Sequence, residues 1–339
     1  MKAIRFHGPG DLRLDEMAMP APGPLDVRVR PAAVGICGTD THILRGEFPA
    51  ARPVVLGHEI AGVVEATGSS VKSIHEGDLV TIEPHVYCTE CRYCRLGLEH
   101  LCLEKRAFGV HLNGGLEEAV VVVPARTAYR LPAGIDARIG CMAEPLACCV
   151  HGMDRLSPRS GAPLLIMGAG PAGLILTRLA VLAGASPIVV SEPNPQRRVA
   201  AIEFGADHAV DPNSEHWREQ LRDLTGGHGF DAVIEAVGSP ATFELAVELA
   251  ARAGRILVFG VAPMEATARV RPFDLFVREI TIIGSVINPY THERAVHLLP
   301  RMGLEKLAVT SYPIDRYREA FDAQASIATA TKIQILPQE

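Results

Sequence analysis

The sequence predicts a two-domain α/β protein, with a β-rich first half and a second half built on a doubly wound parallel sheet. Three observations predict it. Residues 1–34 alternate apolar and polar in short pieces broken by glycine and proline, which is how irregular β structure reads. From Leu164 onward, β-branched runs alternate with helix-length stretches, the pattern of a parallel sheet covered by helices. The length, 339 residues, allows about two domains.

In chain order, Leu25 to Arg30 alternates apolar and polar residues and predicts a half-buried strand. Pro20, Pro22 and Pro24 mark the loop before it. Next come Cys37-Gly38-Thr39-Asp40, His42, and Gly57-His58-Glu59. Cys37, His58 and Glu59 offer a thiolate, an imidazole and a carboxylate, ligand types that zinc takes at catalytic sites. Three protein ligands leave a position open for chemistry. Cys37 alone also reads as a buried structural cysteine; the glycine beside it and the downstream His58-Glu59 favour the ligand. Thr39 and His42 read either as a helix cap and a surface histidine or as a proton relay.

Ile60 to Val64 and Asp78 to Ile82 predict strands, with a turn-rich stretch at Glu65 to Ser73. Cys88, Cys91, Cys94 and Cys102 then place four thiols within fifteen positions. Four thiolates so close can complete a tetrahedral shell around a structural zinc. A redox pair would need only two of them, and an iron–sulfur cluster is the other rival. Leu116 to Val123 predicts a strand. Glu144-Pro145-Leu146 predicts a helix start, where Glu144 is a bland cap, a zinc ligand, or an acidic group just behind the ligands.

Leu164 to Met167 predicts a short buried strand running into Gly168-Ala169-Gly170-Pro171-Ala172-Gly173 and a helix from Leu174 to Ala183. The strand before and helix after give this glycine pattern its dinucleotide-binding context. Gly168 permits the turn, Gly170 lets the backbone approach a pyrophosphate, and Gly173 lets the helix pack on the sheet. Glu192, after the strand Pro187 to Ser191, falls where an acidic group meets the ribose hydroxyls. That favours NAD over NADP; Arg197 and Arg198 nearby pull the other way. Further strands are expected at His208 to Val210, Phe230 to Ala236, Arg255 to Gly260 and Glu279 to Ser285, with a helix at Ala241 to Ala253. Gly260, Val261 and Val286 stand at strand ends that would line the cofactor crevice. Helices at Thr291 to Met302 and Ile314 to Ala325 and a strand at Lys332 to Ile335 close the chain. The expected domains are residues 1–150, 151–287 and a return to the first domain over 288–339.

Composition narrows the function. A formal charge of -6 gives no basic footprint for nucleic acid or an anionic membrane. No apolar run is long enough to span a bilayer, and the first residues lack the apolar core of a signal peptide. Eight cysteines, four of them clustered, suit metal in a reducing compartment. A cytosolic location is expected.

Together, the motifs at Cys37 to Asp40, Gly57 to Glu59, the four clustered cysteines, Glu144 to Leu146 and Gly168 to Gly173 resemble the zinc-dependent medium-chain dehydrogenase/reductase family, over essentially the whole chain. Glu144-Pro145-Leu146 looks most like its polyol, sorbitol-dehydrogenase-like branch; threonine dehydrogenases are the runner-up. The resemblance implies a GroES-like catalytic domain and a Rossmann domain, with the active site in the cleft between them. It implies catalytic zinc on Cys37, His58 and Glu59, Glu144 close by, Thr39 and His42 as the relay, and Glu192 and Arg197 at the adenosine ribose. It implies a small-molecule alcohol substrate, two zinc ions per chain, and a homodimer or homotetramer. One departure stands out. Sorbitol dehydrogenases carry a tyrosine after the relay histidine and an Arg-Tyr pair near the last sheet strand. This chain has Ile43 and Ile287-Asn288, so the polar grip on a long polyol is partly missing. Other polyols, sugar derivatives and simpler secondary alcohols stay open. The non-enzyme alternative is a nucleotide-binding structural or sensor protein on the same scaffold.

Overall fold

The strand Asp26–Ile36 is the axis of the β-rich part. In the computed structural model, which describes residues 1–326 and 332–339, the chain folds as two compact units. One holds Met1–Ala147 and Asn288–Glu339, the other Cys148–Ile287.

In the first unit, Asp26–Ile36 pairs antiparallel with Glu59–Thr67 on one side and Lys332–Leu336 on the other. Leu79–Ile82 and Ala128–Arg130 extend the sheet beyond Glu59–Thr67, and Val309–Pro313 extends it beyond Lys332–Leu336. Alternation along the central strand buries Val27, Val29, Val34 and Ile36. They pack in one core with Ile4, Phe6, Leu56, Ile60 and Leu116. The expected strand Leu116 to Val123 is shorter, only Val121–Pro124. The hydrogen bonds explain this. Leu116 exchanges bonds with Ile4 and Leu56, and Glu117 bridges to Ala3, so the start of the apolar run serves a different neighbour from its end.

The second unit carries a six-stranded parallel sheet. Its order is His208–Val210, Ile188–Ser191, Leu164–Met167, Phe230–Glu235, Ala250–Val258 and Thr281–Gly284. The reversal on either side of Leu164–Met167 is the switch point of a Rossmann sheet. The strand Leu164–Met167 is apolar at every position, as suits a strand covered on both faces; Leu165, Val189, Val233 and Ile256 are fully buried. The expected helix Ala241 to Ala253 ends earlier. It spans Pro240–Leu249, and Ala250 already begins the next strand. Alanine favours helix, but the sheet takes Ala250 opposite Phe230, and a bulge absorbs the mismatch before Arg255. Among the described residues, no helix is long and apolar enough to cross a membrane.

Candidate active site and metal centres

Register places the first constellation. Gly35 stands opposite Glu59, and Ile36 opposite Ile333. Cys37 follows as the N-cap of the helix Gly38–Arg45. Ligand atoms of Cys37, His58 and Glu59 all lie within 4.8 Å of one another. Gly35 makes room for this: a Cβ there would sit 1.8 Å from a Glu59 carboxylate oxygen.

Two further residues shape the group, and neither was given a role by sequence. Asp40, fully buried, accepts the Cys37 N–H at 2.9 Å. Its other oxygen lies 3.6 Å from His58 Nδ1, too far for a hydrogen bond but close enough to set the ring's electrostatics. Lys332 is the second. Its Nζ sits 2.6 Å from each Glu59 carboxylate oxygen and 3.1 Å from the Ile36 carbonyl. Burial disfavours a charged His58 ring, yet Asp40 and Cys37 outweigh it and raise its pKa well above the ordinary value. The surroundings therefore attract a cation. His58 Nδ1 and Asp40 Oδ1 are buried without a hydrogen-bond partner. A thiolate, an imidazole and a carboxylate so gathered fit zinc.

Thr39 Oγ1 lies 3.8 Å from Cys37 Sγ. His42 is three residues further along the same helix, hence on the same face. Its Nδ1 is 2.6 Å from Glu47 Oε2, a partner the sequence did not flag. Glu144 is buried in the first turn of the helix Ala143–Leu156. Its carboxylate is not among the atoms gathered with Cys37, His58 and Glu59. Its charge is also felt at Glu83, a carboxyl unflagged by sequence. Burial raises the Glu83 carboxyl to about 7; the Tyr87 hydroxyl and Arg126 oppose the rise, and the charges of Glu144 and Glu99 add to it.

The four clustered cysteines converge. Cys88 Sγ lies 3.9 Å from Cys94 Sγ and 3.5 Å from Cys102 Sγ, and Cys91 Sγ is 3.6 Å from Cys94 Sγ. A tetrahedral zinc with bonds of about 2.3 Å has sulfur–sulfur edges of about 3.8 Å. The observed distances bracket that edge and are far beyond a disulfide bond. Backbone N–H groups of Cys94 and Leu103 pull the Cys91 thiol down to about 6, while burial pushes the Cys94 thiol up to about 12, so Cys91 gives the cluster its first thiolate.

In the second unit, Gly168 adopts φ 98° at the end of Leu164–Met167. Gly170 caps the helix Pro171–Leu182. A Cβ on Gly173 would meet the Gly168 carbonyl oxygen at 2.1 Å, whereas one on Gly170 would meet nothing within 4 Å. Gly173 is thus required by packing, while Gly170 faces open space beside free helix N–H groups, which suits a pyrophosphate. Ala172 lies in the first turn. Glu192 is buried, accepting the Ala169 N–H at 2.8 Å and the Asn194 N–H at 2.9 Å. Arg197 Nη1 is 4.0 Å from its carboxylate. A Cβ on Gly260 would sit 2.2 Å from the Gly238 nitrogen, so the strand ends meet closely. Val261 and Val286 are exposed.

The family model for the alcohol dehydrogenase GroES-like domain matches residues 23–133. That for the zinc-binding dehydrogenase matches residues 171–301. An L-threonine 3-dehydrogenase of Pyrococcus horikoshii is 34% identical, over 99% of each chain. The chain belongs to the zinc-dependent medium-chain dehydrogenase family. This dehydrogenase is also 32% identical to D-arabinitol dehydrogenase 1 of Uromyces fabae, over 99% of this chain and 97% of that one. A solved structure from Sinorhizobium meliloti, described as a zinc-binding dehydrogenase bound to NADP, superposes with a TM-score of 0.92 at 34% identity, over 99% of each chain. The protein is therefore an oxidoreductase of the alcohol and polyol type that works with zinc and a nicotinamide cofactor.

Proposed function

We propose that this dehydrogenase oxidises a small secondary alcohol, a polyol in the first reading, to a ketone with NAD. The observation that carries the reading is the gathering of Cys37, His58 and Glu59 within 4.8 Å in a chain of this family. Zinc held by Cys37, His58 and Glu59 would supply Lewis acidity toward an alcohol oxygen, and a bound nicotinamide would supply the hydride acceptor. Thr39 Oγ1 takes the hydroxyl proton, and His42 passes it to solvent with Glu47 fixing its ring. Asp40 sets the electrostatics of the His58 ring, and Glu144 the field behind the ligands. Cys88, Cys91, Cys94 and Cys102 hold a second zinc with no open position, which staples their loop.

Gly168, Gly170 and Ala172 would cradle the pyrophosphate while Gly173 packs the helix onto the turn, Glu192 and Arg197 would hold the ribose, and Gly260, Val261 and Val286 would line the nicotinamide side. Residues 1–150 and 288–339 serve as the catalytic domain and 151–287 as the dinucleotide domain. The Glu192 carboxylate would repel a 2′-phosphate. Arg198 is occupied by the Glu192 and Pro193 carbonyls and by Asp211 at 3.1 Å, which supports NAD over NADP. The exposed edge strand Thr281–Gly284 and the exposed Phe273 and Phe276 support a homodimer or homotetramer. Free cysteines throughout support a cytosolic location.

The second reading, an L-threonine 3-dehydrogenase, is favoured by the Pyrococcus horikoshii relative. Both readings take a secondary alcohol beside a carbon bearing oxygen or nitrogen. A screen of polyols, L-threonine and simple secondary alcohols with NAD and NADP, read at the reduced-nicotinamide absorbance, separates them. Cys37→Ser should lose turnover and one of two zinc ions while keeping NAD binding. Retained turnover in that variant sinks the assignment.

A further inference from the structure

We infer that the second unit carries another anion site, at the end of its sheet away from the glycine turn, which takes a small molecule bearing two or more phosphates. A cavity of about 430 Å³ is lined by Arg218, Arg222, Arg252, Arg278, His228 and Glu248. Phe230 and Ala250, the first residues of two adjacent strands, also line it. The glycine turn follows the last residue of Leu164–Met167, which runs parallel to Phe230–Glu235. The cavity and the turn are therefore at opposite ends of one sheet.

Charge is the first ground. Four guanidinium groups face a single carboxylate around this cavity, an excess of three positive charges in a chain of net charge -6. Such a local excess repels itself unless an anion answers it.

Preorganisation is the second ground. Arg278 donates to the Val247 carbonyl at 3.0 Å and the Glu248 carbonyl at 3.3 Å, and also to the Ala250 carbonyl. Arg252 donates to the Val277 carbonyl at 3.1 Å, and Arg218 pairs with Glu248. Three of the four are thus held by the protein while keeping N–H donors to spare, since a guanidinium has five. Arg222 has no side-chain partner among the described residues. Planar forks of this kind match phosphate oxygens two at a time. Three excess charges and a volume in the range of small-molecule sites suit a diphosphate or triphosphate group better than a single phosphate.

The test is calorimetric titration of inorganic pyrophosphate into the zinc-loaded full chain, saturated with its nicotinamide cofactor so that the glycine turn is filled. The parent should bind one pyrophosphate, more tightly than inorganic phosphate and more weakly as salt rises. Arg222→Gln with Arg252→Gln should weaken binding at least about tenfold while melting temperature and cofactor affinity stay unchanged. Should the double variant misfold, Arg222→Gln alone carries the test, because that side chain has no partner to lose. Equal pyrophosphate affinity in a folded variant, or no binding by the parent at millimolar pyrophosphate, overturns the inference.

Discussion

Replacing Lys332 with methionine removes the ammonium that faces Glu59. Both side chains are almost fully buried, at 6% and 1% exposure. Burial pushes the Lys332 pKa down, but Glu59, Cys37 and Cys141 outweigh it and hold it above the ordinary lysine value. Lys332 therefore keeps its positive charge at any working pH. Methionine fills similar volume but leaves the Glu59 carboxylate and the Ile36 carbonyl without their donor. Breaking a buried pair from one side costs about 3–5 kcal/mol, a large share of the roughly 5–15 kcal/mol that holds a domain folded. For a unit of about 200 residues, each kcal/mol moves the melting temperature by about 2–4 °C. The metal-free variant should therefore melt on the order of 10 °C below the parent. Zinc should raise the variant's melting temperature more than the parent's, since the dication replaces the missing charge. Scanning calorimetry of chelated and zinc-loaded samples reads both effects. A metal-free deficit under about 2 °C would refute the claim that this ammonium neutralises Glu59.

The glycine turn separates packing from ligand contact: Gly173→Ala should destabilise the second unit by about 1–3 kcal/mol or more through overpacking, whereas Gly170→Ala should melt like the parent and lose cofactor affinity by titration. Asp40→Asn should weaken zinc at the Cys37 group by about 10–100-fold, measured by chelator competition with cobalt absorbance as the reporter. Glu83, whose carboxyl is raised from 4.5 to about 7, keeps its proton in the folded state after the unfolded chain has released it. Its contribution is full below pH 4.5 and lost as pH rises through about 7, a fall on the order of 3 kcal/mol that Glu83→Gln should flatten in pH-dependent denaturation.

What the sequence made legible is what sits close together along the chain. The strand Leu164–Met167 and the glycine turn after it are contiguous, so apolar run, turn and helix can be read as one unit. Cys88, Cys91 and Cys94 are three apart, and short spacing alone brings thiols together. Lys332 lies 273 residues from Glu59, and only the register that sets Ile333 opposite Ile36 unites them. No local pattern signals a buried lysine at the start of a final strand. Asp40 stood in view inside the motif, but its work on the Cys37 N–H and the His58 ring depends on the helix cap, which spacing does not show. The helix end at Leu249 was misplaced because propensity extends an alanine-rich run that the sheet cuts short.

These two unflagged residues also decide the charge of the metal group. With His58 neutral, Cys37, Glu59 and Asp40 bring three negative charges and Lys332 returns one positive. Two buried negative charges remain, which one divalent cation balances. The motif alone, a thiolate and a carboxylate beside an imidazole, reaches the same sum only because Asp40 and Lys332 cancel each other. Their removal should therefore act in opposite directions. Lys332→Met leaves three negative charges around the metal and should tighten zinc even as it destabilises the metal-free chain. Asp40→Asn leaves one and should loosen zinc. If both substitutions weaken zinc alike, ligand geometry rather than charge sets the affinity, and the neutrality argument fails.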